Sequence, residues 1–208
     1  MTNTDEKTAL IRRAVWLEYL TLSWMVVEAA IGIGSGVAAG SLVLTAFGID
    51  SLIELASACV LVWRLTVELQ HGQRFAEGAE HLASRIGGAL LFALAAYVVG
   101  SAAWKLGTGT GGEFSLYGLV LSVVAIPVMY FLSRRKLALA SALDSRSLRT
   151  DAIESLTCGW LAFVVVVALA ATWTVGAWWI DPVASLAIVW FLVQEAREAW
   201  AGDECCDD

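Results

Sequence analysis

LVLTAFGIDSLIELASACVLVWRL, residues 42–65, decides the fold. As a helix it is long enough to cross a hydrocarbon core about 30 Å thick. It is apolar all round, yet it carries Asp50 and Glu54 and no basic residue before Arg64. Four apart, the two acids share one helical face. A carboxylate at the bilayer centre costs about 2.5–3.5 kcal/mol even on the most lenient insertion scale, so two on one face need a reason.

The rest of the chain repeats the pattern. Of 208 residues, 59% are hydrophobic and 16% charged, and mean hydropathy is +0.72. That balance excludes a soluble globular domain. Apolar runs of membrane-spanning length fall at about 14–38, 42–65, 86–106, 115–133, 150–172 and 176–197. The expected fold is therefore an all-α membrane protein, a six-helix transmembrane bundle over 14–200. A segment at 1–13 precedes it, and a short acidic tail with two cysteines, 201–208, follows. The first run is too long for a cleavable signal and serves as its own insertion signal. Of the thirteen Lys and Arg, all but Lys105 fall before the first run, around 64–85, across 134–149 or at 197. The positive-inside rule puts that side, and both termini, in the cytoplasm, which implies a multi-pass protein of the cell (inner) membrane. A net charge of −7 is the wrong sign for a nucleic-acid partner.

The acids are the chemistry. Between Arg13 and Arg64 stand Glu18, Glu28, Asp50 and Glu54, and between Arg149 and Arg197 stand Asp151, Glu154, Asp181 and Glu195, with no Lys, Arg or His in either stretch. Glu28 is deep in the first helix. Asp151 and Glu154 are three apart, Cys158 is four beyond Glu154, and all three share a face. If these faces meet, the site holds five carboxylates and one thiol, and like charges at that density need protons or a cation. Oxygen ligands suit Mn²⁺, Mg²⁺ or Fe²⁺, and Zn²⁺ also accepts carboxylates. Ligands must lose protons to bind metal, which couples loading to proton release. A weak echo, DSLIELASAC against DAIESLTC, pairs the second helix with the fifth around one midplane site.

Other features read as structural. Glu18, near Arg12 and Arg13, reads as interfacial. Asp181, before Pro182, reads as the N-cap of the sixth helix. Gly32, Gly36 and Gly40 form a small-residue packing stripe. LGTGTGGEF, 106–114, reads as a flexible external turn, and Pro127 as a possible kink site. Trp63, Trp104, Trp178, Trp179 and Trp200 fall near segment ends, as interfacial aromatics do. His71 and His81 read as loop histidines. Cys59 and Cys158 lie within predicted helices and Cys205–Cys206 in the cytoplasmic tail, so no disulfide framework is expected.

Three stretches carry a family resemblance. GSLVLTAFGIDSLIE (40–54) has an acid ten residues after Gly40 and a second four later. LDSRSLRTDAIES (143–155) opens the fifth helix, and DPVASLAIVWFLVQEA (181–196) opens the sixth. With six helices and cytoplasmic termini, the chain resembles the cation diffusion facilitators over most of 14–200. It is most similar to a short bacterial subgroup with a Glu in its first helix, a Cys-Cys tail and no C-terminal cytoplasmic domain. The resemblance implies metal–proton exchange, not an enzyme, and a homodimer, here resting on membrane helices alone. By position, Asp50, Glu54 and Asp151 match the family's ligands. Ser147 stands where the family commonly has His or Asp, and Glu54 replaces an Asp, so the site lacks histidine. Glu154 and Glu28 are the candidates to replace the missing ligand.

The expected function is thus efflux of a divalent metal (Zn, Mn, Fe, Co or Cd) against protons, with no tightly bound cofactor. A non-transporting membrane metal sensor or partner protein is the alternative. A thiol enzyme using Cys59 or Cys158 has little support, since neither has a His or CxxC partner.

Overall fold

The computed structural model describes residues 3–71, 77–143 and 145–201. These form six helices: α1 (Asn3–Ala38), α2 (Leu42–His71), α3 (Glu77–Thr108), α4 (Leu116–Leu143), α5 (Arg146–Val175) and α6 (Ile180–Ala201). No strand occurs among the described residues. Five of the helices are long and apolar enough to cross a membrane. The exception, α6, carries Asp181 near one end and Glu195, Arg197 and Glu198 toward the other. The chain is an all-α, multi-pass membrane bundle. Its surface is the inverse of a soluble protein's, with Trp16, Trp104, Tyr117, Trp173 and Trp190 all exposed.

The basic stretch 134–149 is helical on both sides of a short break. α4 runs through Pro127 to Leu143, and Ser145 caps the start of α5, accepting from the Leu148 amide at 3.4 Å. α1 packs on α2 and α4, α4 on α5, and α3 on α6. α2 also touches α3, α5 and α6, so the helix that carries Asp50 and Glu54 is the hub of the bundle. Phe47 and Leu44 of α2, Met129 of α4, Leu161 of α5 and Ile188 of α6 fill the centre.

Inside lipid there is no water to expel, so close packing and hydrogen bonds must hold helices together. The α1–α2 seam does this with glycine. A methyl added to Gly32 would stand 2.9 Å from Gly48 Cα, and one on Gly48 would stand 2.5 Å from the Ile33 amide nitrogen. Gly36 meets Thr45 in the same way. Gly40, the third glycine of the expected stripe, has φ +59° and makes the turn instead. Across α4 and α5, Ser133 donates to the Ala152 carbonyl at 2.6 Å.

Two expectations are corrected at the end of the bundle that carries Lys105. Asp181 does not act as the cap of its own helix. Its carboxylate accepts from Ser41 Oγ at 2.5 Å and the Leu42 amide at 2.8 Å, so it caps α2 across the fold. Lys105 donates to the Gly40 carbonyl and lies 3.5 Å from the same carboxylate. The 109–115 turn is also seated rather than free. Gly112 lies against Ser41 Cα and Asp181, Gly111 against Trp178, and the Glu113 amide donates to Ala39 O at 2.8 Å. Only residues without a Cβ can come that close.

Candidate functional site

Asp50 lies about 12 Å along α2 from its outer end at Leu42, and Glu54 about 18 Å. Both are buried, and both face α6, where Glu195 lies about 22 Å from Ile180. One carboxylate oxygen from each of Asp50, Glu54 and Glu195 lies within 4.8 Å of the other two. Oxygens sharing a divalent ion at about 2.0–2.6 Å are separated by at most about 5 Å, so this spacing suits a common cation. Among the described residues this is the one acid, histidine or cysteine group with that geometry.

None of the six oxygens of these three carboxylates has a hydrogen-bond partner. Buried polar groups are almost always paired. An acid kept for packing would bond a carbonyl or hydroxyl, as Ser51 does with Phe47 O at 3.1 Å one residue after Asp50. Three neighbouring acids are thus buried with no hydrogen-bond partner in the chain.

Glu28 of α1 and Cys158 of α5 stand beside the trio. The thiol lies 3.9 Å from Glu28 Oε2, and Glu28 Oε1 has no partner. Both groups are within electrostatic reach of Asp50 and Glu54. Glu154, half-buried one turn before Cys158, is within reach of Asp50 and Glu54, and also of Asp151. Of the expected residues, only Asp50 and Glu54 belong to the converging group, while Glu28, Glu154 and Cys158 stand within electrostatic reach of them.

Asp151 has different partners. Lys136 of α4 donates to Asp151 Oδ2, lies 3.0 Å from Glu18 Oε2, and reaches Ser155 Oγ at 3.3 Å. Lys136 and Glu18 are both 0% exposed. Lys136 and Glu18 each sit about 30 Å along their helices from the outer end, deeper toward the basic side than the trio. Three residues turn a helix by about 300°, so Asp151 and Glu154 are offset enough to answer different neighbours. The expectation that protons or a bound cation offset these acids is therefore corrected for Glu18 and Asp151, because a lysine from α4 serves both. Glu18 lies toward the basic end of the bundle, near Arg12 and Arg13 in sequence, and is buried against Lys136 rather than exposed there. The side chain of Ser147 lies outside the described residues, as do those of His71 and His81 and the Cys205–Cys206 tail.

Two residues escaped the sequence reading. Glu195 stands near the end of the last apolar run, and its place in a stretch without basic residues is the signal that could have found it. Lys136 looked like one charge among several in a cytoplasmic loop, and only the length of α4 shows that it is inside.

Comparison with known proteins agrees with this architecture. Residues 19–200 match the family model of the cation efflux transmembrane domain. The chain is also 28% identical over 177 residues to an uncharacterized transporter from Synechocystis sp.. That alignment covers 82% of this chain but 57% of the relative, so the chain spans little more than half of that protein's length.

Proposed function

The chain belongs to the cation efflux family, and on that premise we propose that it exports a divalent metal cation from the cytoplasm across the cell's inner membrane in exchange for protons. Asp50 and Glu54 carry the ion, with Glu28, Glu154 and Cys158 lining the space around it. The observation that carries this reading is the set of six buried, unpartnered carboxylate oxygens on α2 and α6.

The chemistry follows from the ligands. Facing the cytoplasm, the acids give up protons as the metal enters, because a carboxylate binds metal only when ionised. Once the cation compensates the like charges, the loaded site is electrostatically settled and the helices can re-expose it outward. Outside, protons return to the carboxylates and the metal leaves. Asp151 serves as a fixed anion holding Lys136, and with Glu18 it ties α1, α4 and α5 together below the site.

Uptake of Mn²⁺, Fe²⁺, Co²⁺, Zn²⁺ and Cd²⁺ into proteoliposomes with an acidic interior tests the proposal. Wild type should accumulate at least one of these ions and Asp50→Ala none. Equal accumulation by both proteins would sink the site assignment.

A further inference from the structure

α6 is the one helix of the six that is not apolar enough to be recognised as a membrane span. Part of the reason is Glu195, which puts a carboxylate into an otherwise apolar helix at a cost of a few kcal/mol if it is charged. Glu195 is 9% exposed, and neither of its oxygens is hydrogen-bonded. A carboxylate of Glu195 also stands within 4.8 Å of both Asp50 and Glu54. Four residues earlier Phe191, and three residues earlier Leu192, pack into the core, so this face of α6 is the inner one.

We infer that Glu195 is a direct ligand of the transported cation, and that it makes the converging set all-carboxylate and so selective for oxygen-preferring ions such as Mn²⁺ and Fe²⁺ over thiophilic ions such as Cd²⁺. This rests on the reading of Asp50 and Glu54 as the carrying site. The soft donor nearby, Cys158, is not in the converging set; its thiol is turned to Glu28. Carboxylate sets suit Mn²⁺, whereas thiolate and imidazole suit Zn²⁺ and softer ions. The placement has a mechanical consequence. α6 packs on α3 while α2 packs on α1, so an ion held by acids of both α2 and α6 joins two helix pairs at one point. Loading would then change how those pairs are held together, which is what a site that must open to each side in turn requires.

The test is equilibrium binding of Mn²⁺ and Cd²⁺ to the purified full chain in nanodiscs, for wild type, Glu195→Gln, Glu195→His and Asp50→Asn. Glu195→Gln should weaken Mn²⁺ by at least about tenfold, the lower bound for losing even an outer partner of a metal ligand. Its Cd²⁺ affinity should fall much less. Glu195→His should bind, with the Cd²⁺-to-Mn²⁺ affinity ratio raised about tenfold or more, because imidazole prefers the softer ion. That change of ratio decides the matter even if Glu195→Gln proves poorly folded. Wild-type ratios in both Glu195 variants, with no binding by Asp50→Asn, would overturn the role of Glu195 and leave the carrying site standing. Wild-type binding by Asp50→Asn would remove the carrying site, and this inference with it.

Discussion

Lys136 of α4 is buried against Glu18 of α1, Nζ to Oε2 at 3.0 Å, while donating to Asp151 of α5. One ammonium therefore serves two carboxylates from two other helices. Breaking a buried ion pair by removing one partner typically costs about 3–5 kcal/mol, because the remaining charge is left without compensation. Lys136→Met should accordingly lower the melting temperature sharply. Restoring charge balance with Glu18→Gln and Asp151→Asn in the same chain should recover most of the loss. Thermal unfolding of the single and triple variants in detergent checks this. A Lys136→Met protein as stable as wild type would show that the pair contributes nothing.

The acids of the carrying site should behave in the opposite way. Asp50, Glu54 and Glu195 have no protein partner, so each ionised member repels the others. In metal-free protein, Glu54→Gln should raise the melting temperature, by about 2–4 °C per kcal/mol of repulsion relieved in a chain of this size. Saturating Mn²⁺ should stabilise wild type, since a ligand bound only by the folded state does so by mass action. The same Mn²⁺ concentration should shift Glu54→Gln less. Differential scanning fluorimetry with and without Mn²⁺ reads both effects.

Proton release should accompany binding. Metal needs ionised carboxylates, so apparent affinity should fall as pH falls, and addition of Mn²⁺ to weakly buffered protein should acidify the solution. Glu195→Gln, lacking one ionisable ligand, should release fewer protons per ion bound. Calorimetry in two buffers of different ionisation enthalpy measures that number. Equal release by the two proteins would contradict a role for Glu195 in the exchange.

The α1–α2 seam should tolerate almost nothing at Gly48. A methyl there meets the Ile33 amide nitrogen at 2.5 Å and the Gly32 carbonyl carbon at 2.8 Å, and backbone cannot step aside as a side chain can. Overpacking of this kind costs about 1–3 kcal/mol. Because Gly48 is two residues from Asp50, Gly48→Ala should also displace the acids, lowering both the melting temperature and metal affinity. Gly34→Ala, on the same helix pair but with nothing within 4 Å, should be neutral in both assays.

Much of this was readable beforehand. Length and apolarity announced the six helices, and the i, i+4 spacing of Asp50 and Glu54 placed both acids on one face without any knowledge of their neighbours. What spacing could not say is which acid meets which helix. Asp151 and Glu154 look equivalent on a helical wheel, yet one answers Lys136 and the other stands within reach of Asp50. The difference lies in how far α4 continues past residue 133, which periodicity does not define in a stretch where basic and apolar residues alternate. Glu195 was hidden for a similar reason: near a helix end an acid usually faces headgroups, and only the packing of α6 against α2 turns it inward. Asp181 shows the same limit, since Asp-Pro signals a helix start but not that the carboxylate caps a different helix.

Metal and proton movement can be followed in one vesicle. Proteoliposomes holding a pH-sensitive dye would be given external Mn²⁺ while internal metal and internal pH are followed together, for wild type and for Asp50→Asn with Glu54→Gln. Metal entry and proton exit should start together in wild type, and both should vanish in the double variant. Mn²⁺ entry at the wild-type rate in vesicles whose protein lacks both carboxylates would contradict that exchange.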